Sequence, residues 1–157
     1  MDQAIASRLL AWRVVMVDAP TMRERLKQLL EEAWRVLEEH PPKAGGLACQ
    51  AEHLARCQSN NRAWAESLFI WGIARLYEGD SHQAIPLFSR ALAVYRFLGD
   101  EEGQWGCLRA IALAWARAGE PQEALETYRQ AQAFPRRAEF AAKARWFRWF
   151  EGVSGPA

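Results

Sequence analysis

Apolar residues along the chain recur three and four positions apart, the interval of a buried helical face, and the runs are separated by clusters of Pro, Gly, Asn and Asp. The first run predicts a helix over 2–17, with Asp2 as its N-cap and Ile5, Leu9, Trp12 and Met16 along one face. Leu10, Val14, Val15 and Val17 occupy its other faces, so this helix needs cover on more than one side. Thr21 to Glu24 has the form of a capping box and opens a helix over 22–39 that turns Leu26, Leu30, Ala33 and Leu37 inward. His40-Pro41-Pro42 stops it, because neither proline donates an amide, and Gly45-Gly46 precedes a helix over 47–58. Ser59-Asn60-Asn61 supplies caps for a helix over 62–78. That run is apolar nearly all round, from Trp64 through Leu68, Ile70 and Trp71 to Tyr77, which predicts the central helix. Gly79-Asp80 leads into 82–98, which carries Pro86 near its start, Gly99-Asp100 into 101–118, and Gly119 into 121–134 with Pro121 at the first position. Pro135 sets off a last helix over 136–151.

Within this order one pattern occurs twice. Gly79-Asp80 recurs as Gly119-Glu120, Ala84 as Ala124, Phe88 as Tyr128 and Ala91 as Ala131, and upstream Leu68 recurs as Leu108 and Ala74 as Ala114, each forty positions on. A period of this size signals helical hairpins stacked side by side, each covering its neighbour's apolar face. A small residue, an aromatic four further on and another small residue three beyond lie on one helix face, where the small residues admit a second helix and the ring fills the gap.

On these residues, together with the large-then-small pairs Trp71-Gly72 and Ile111-Ala112, the stretch from Trp64 to Phe134 resembles the tetratricopeptide repeat. Its unit of forty residues is longer than the family's usual length of about thirty-four, as in long variants from bacterial regulatory proteins. The second helix runs on through Leu92 to Leu98 before Gly99-Asp100 ends it. The resemblance implies an all-α, right-handed superhelix of antiparallel helix hairpins, an α-solenoid of about eight helices, serving as a non-catalytic scaffold for a protein or peptide partner. Residues 1–157 then read as one domain, with an N-terminal helix at 2–17, a degenerate hairpin at 21–58, two clear repeats at 62–98 and 101–134, and a capping helix at 136–151. In the degenerate hairpin the offset matches Ala48 and Ala51 to Phe88 and Ala91 but sets Glu31-Glu32 against Trp71-Gly72, so a register shift is needed.

Composition alters this picture little. A chain of 157 residues, 50% hydrophobic and 25% charged, has the make-up of an ordinary globular protein, and its net charge of +1 exerts no general pull toward nucleic acid or membranes. Trp12, Trp34, Trp64, Trp71, Trp105 and Trp115 are expected to fill space between helices. The three cysteines have no Cys-x-x-Cys pairing and suggest reduced thiols in a cytoplasmic protein. Arg8 and Arg13 interrupt the first apolar run and no basic leader precedes it, which argues against a secretory signal or a membrane span.

Carried over from the family, the concave groove positions are Phe69, Ile73, Leu76 and Tyr77 in the first clear repeat and Arg109, Leu113 and Arg117 in the second. The subtype that clamps a peptide's terminal carboxylate has Lys and Asn where Phe69 and Ile73 stand, so that mode is not expected. An apolar groove with arginines at one end suits an amphipathic segment bearing an acidic residue. Two readings stay open: a partner occupies the groove, or the chain's own helix 2–17 fills it. Homodimerisation and a small ligand in the groove are the alternatives, and Trp12, Trp146, Trp149 and Phe150 form a candidate partner or dimer surface.

The last helix interleaves Arg137, Lys143, Arg145 and Arg148 with aromatic residues, a mixture that serves single-stranded nucleic acid or an anionic membrane in some proteins. A repeat array needs a terminal cap with one apolar face, and the cap is the preferred reading. Cys49, His53 and Cys57 share one helix face, but the outer two are eight residues, about 12 Å, apart, so one metal cannot take both. No metal, cofactor or catalytic residue is expected, since a phosphate loop, a His-Glu-x-x-His motif and a nucleophile elbow are all missing from the sequence.

Overall fold

The computed structural model describes residues 3–7 and 20–143, with side chains through Phe140. Residues 3–7 are helical, and seven further helices follow among the described residues: α1 (Met22–Val36), α2 (Pro41–Cys57), α3 (Asn61–Tyr77), α4 (Ser81–Leu98), α5 (Glu101–Arg117), α6 (Pro121–Gln132) and α7 (Arg137–Lys143). Connections of two to four residues leave consecutive helices no arrangement but antiparallel neighbours.

Local chemistry sets most of the boundaries. The Thr21 amide donates to Glu24 Oε2 at 2.7 Å while Thr21 Oγ1 accepts from the Glu24 amide at 3.2 Å, a complete capping box. Asn60, Asp80 and Asp100 cap α3, α4 and α5 by accepting from the amides of Ala63, Gln83 and Gly103. His40, Asp80 and Glu120, which stand at the N-caps of α2, α4 and α6, are forty positions apart. Thr21, Asn60 and Asp100 are thirty-nine and forty apart, so the register of the first hairpin slips by one residue at the start of α1. Gly79, Gly99 and Gly119 take positive φ in the turns, and Ser59 holds the same left-handed conformation, φ 53°, at the position matching Gly99.

Three boundaries differ from the sequence pattern. The first helix stops at Val36 rather than 39, and α6 stops at Gln132 rather than 134. The second helix begins at Pro41, not 47. Pro41 and Pro42 occupy its first turn, where a missing amide donor costs nothing. Gly45 is then a point of close packing, since a Cβ there would lie 3.5 Å from Ala74 Cβ and 3.6 Å from Trp71.

From α1 to α6 each helix packs on the next, and α1 also meets α3, α3 meets α5 and α5 meets α7, which is the ladder of an α-solenoid. The core centres on α3, with ten buried residues against Ala131 alone in α6. Gly72 allows the Phe88 ring onto α3: a Cβ at 72 would come within 2.6 Å of it. Trp105 is buried and Trp34, Trp64, Trp71 and Trp115 pack partly buried against the core, as their spacing suggested, while Trp12 lies outside the described residues. On the other side, buried Glu52 accepts hydrogen bonds from Trp64 Nε1 at 3.0 Å and Arg90 Nη2 at 3.3 Å, tying α2 to α3 and α4.

Candidate functional site

Three of the predicted groove residues are core residues. Phe69, Ile73 and Leu76 are 0%, 0% and 1% exposed, because α3 is contacted by α1, α2, α4 and α5. The Phe69 ring lies 5.3 Å from Phe88 and 6.4 Å from Trp34. Their apolar character therefore holds layers together and gives no open lining, a correction to the family-derived groove. Tyr77 is half-buried, and Arg117, exposed at the end of α5, donates from Nη1 to the Leu76 carbonyl at 3.3 Å. Trp146, Trp149 and Phe150 lie, like Trp12, outside the described residues.

The other two groove residues, Arg109 and Leu113, do line open space. With Ala112 and Ala116 they form one wall, on α5, of a cleft of about 420 Å³ whose other wall is Pro121, Ala124, Leu125 and Tyr128 on α6. The lining is apolar except for Arg109. Its guanidinium stands 5.4 Å from the Trp105 ring and 5.5 Å from the Tyr128 ring, held between two π faces. Trp105 in turn meets Phe140 of α7 at 6.1 Å, so a row of stacked groups runs from α7 to the cleft.

The repeat shows what this cleft is. Tyr128 matches Phe88 and Leu125 matches Ile85, yet Phe88 is 0% exposed and Ile85 half-buried, while Tyr128 is 40% and Leu125 47% exposed. In the preceding hairpin α5 packs against α4; no described helix covers α6 in the same way. Among the described residues this face is therefore left uncovered. Sequence reasoning missed Leu125 and Tyr128 because it placed the groove on the first helices of the hairpins. The available signal was two apolar residues at stacking positions of the last clear repeat.

Elsewhere the geometry offers less. A polar cavity of about 410 Å³ lies where α4, α5 and α7 meet, but its charges largely pair among themselves: Arg62 Nη2 donates to Asp100 Oδ2 at 2.8 Å, and Arg136 donates through two nitrogens to Glu139 at 2.7 and 2.9 Å. Cys57 Sγ sits 3.9 Å from His53 Nε2 on the exposed face of α2. Among the described residues no three His, Cys, Asp or Glu side chains converge on a metal position, and no helix is long and apolar enough to cross a membrane. Burial pushes the Cys107 thiol well above its ordinary range, which holds it protonated and a poor nucleophile.

A family model for the tetratricopeptide repeat matches residues 62–137. Among solved structures, the chain is similar to the crystal structure of the TPR domain of Arabidopsis FLU, at 21% identity and a TM-score of 0.69, over 72% of this chain and 96% of that one. Comparison with curated proteins gave no match.

Proposed function

Because the chain is a tetratricopeptide repeat protein, with a fold that serves generally as a protein–protein interaction scaffold, we propose that it holds a helical segment of a partner protein in the cleft between α5 and α6. The observation that carries this reading is the exposure of Tyr128 and Leu125 at positions whose counterparts one repeat earlier are covered. A helix is the shape that fits, since helix α5 packs beside the matching face. The partner helix needs an apolar stripe to meet Leu113, Leu125 and Tyr128, and an acidic residue at its edge to meet Arg109. Fully burying a leucine side chain contributes at most about 3 kcal/mol, and Leu113, Leu125 and Tyr128 are already partly covered, so the affinity depends as much on the apolar side chains that the partner helix itself buries.

The test uses a fluorescein-labelled model helix of Leu, Ala, Lys and Glu with one Glu at the edge of its apolar stripe. Anisotropy is expected to show binding that Leu125→Asp weakens by about tenfold or more, the equivalent of one lost apolar contact. Leu125 is exposed, so the substitution spares the core. Binding indifferent to Leu125→Asp would place the interaction elsewhere. Light scattering on the same samples reports whether a second copy of the chain takes the site instead: a dimer that Leu125→Asp dissolves would replace the partner reading with self-association.

A further inference from the structure

Resting on that reading, we propose that Trp105 and Phe140 are positioning residues for Arg109, so that the cleft prefers an acidic partner only while α7 is seated on α5. An arginine on an open wall reads a carboxylate poorly, because its long side chain must give up rotamer freedom to hold one geometry. Arg109 is fixed beforehand: its guanidinium stands over the Trp105 ring at 5.4 Å and over the Tyr128 ring at 5.5 Å. The two rings differ in what holds them. Tyr128 is 40% exposed on α6 and has room to turn, whereas Trp105 is 3% exposed and enclosed. Among the groups that enclose it is the buried Phe140 ring of α7, 6.1 Å away. Phe140 is anchored in its turn by Arg136, which stands over the ring at 5.5 Å and donates through two nitrogens to Glu139 in the first turn of α7. The row from Arg136 through Phe140 and Trp105 to Arg109 therefore carries the position of α7 to the charged group of the cleft.

Unseating α7 withdraws the Phe140 ring and leaves a gap beside Trp105 into which the indole can turn, and Arg109 then keeps only Tyr128. A partly exposed ion pair favours an acidic helix by up to about fivefold, and the cost of ordering a released arginine absorbs that gain. The coupling is reciprocal: the factor by which a seated α7 raises the affinity for an acidic helix is the factor by which that helix favours the seating of α7.

The experiment is done on the full chain with the labelled model helix and a counterpart in which Gln replaces its edge Glu. The expected result is a preference of about fivefold for the Glu helix, which Arg109→Gln abolishes. Phe140→Ala is expected to bring the preference to about one while the Gln helix binds within about twofold of its original affinity, and Phe140→Leu, which keeps the seat filled, to retain it. A preference untouched by Phe140→Ala would overturn the proposal. So would an equal loss for both helices, which would make α7 a mere support for the cleft wall. A second measurement needs no substitution: amide exchange in α7 should be slower with the Glu helix bound than with the Gln helix, by up to the same factor. Equal protection by the two helices would overturn the coupling and leave the partner reading standing. If neither helix binds the unaltered chain, the partner reading itself fails and the proposal falls with it.

Discussion

Gly72 decides how closely α3 and α4 approach. A methyl there would sit 2.6 Å from the Phe88 ring, which is 0% exposed and has nowhere to go. The matching pair is Ala112 and Tyr128, where the methyl is native and the ring is partly open to solvent. Gly72→Ala gains up to about 1 kcal/mol in helix propensity but overpacks the core by about 1–3 kcal/mol, so a net loss of about 1–2 kcal/mol is expected in urea unfolding. A neutral or stabilising outcome would mean that α4 is free to slide. Cys107 makes a different prediction. Burial holds its thiol protonated in the folded chain, whereas the unfolded thiol ionises near about 8.5. The unfolded state then binds fewer protons than the folded one above that pH, so this contribution is intact below about 8.5 and stability falls as pH rises through it. The unfolding midpoint is expected to drop between about pH 8 and 10, less steeply in Cys107→Ala. In the folded chain at pH 8 a thiol reagent should modify Cys49 and Cys57 and spare Cys107.

At the scale of elements, the junction of α4 and α5 rests on Asp100. One of its carboxylate oxygens accepts the Gly103 amide at 2.9 Å and the other accepts Arg62 of α3 at 2.8 Å. Removing the cap costs about 1 kcal/mol, and an ion pair with an exposed arginine contributes at most about 1 kcal/mol. Asp100→Ala should therefore lose about 1–2 kcal/mol in denaturant unfolding, and Asp100→Asn, which keeps the cap, at most about half of that. Equal losses in the two variants would show that charge and not capping holds the junction. Caps of this kind were legible in the sequence because each involves residues three positions apart. The start of α2 was not legible. Pro41-Pro42 and Gly45-Gly46 are breakers by intrinsic preference, and what makes them helical is a first turn that needs no amide donors and a second turn seated on Ala74 and Trp71 of another helix.

Across the molecule, burial is uneven: α3 is enclosed by its neighbours, while α6 buries one residue. In an array whose units contact only their neighbours, stability is local, and hydrogen exchange should be slowest in α3 and fastest in α6. Uniform protection across α3 to α6 would argue instead that the array opens as one unit. The forty-residue period by itself determined the helical hairpins, their order and most of their caps, because these depend on contacts within a few residues along the chain. Two of the cleft's residues, Arg109 and Leu113, were among the positions that the resemblance to the repeat family implied. Which apolar side chains are covered was decided by the tertiary structure alone. Phe69, Ile73 and Leu76 disappear into the core while Leu125 and Tyr128 remain at the surface. A repeat carries the same stacking residues whether or not a neighbour packs against them, so only the packed array distinguishes a covered face from an exposed one.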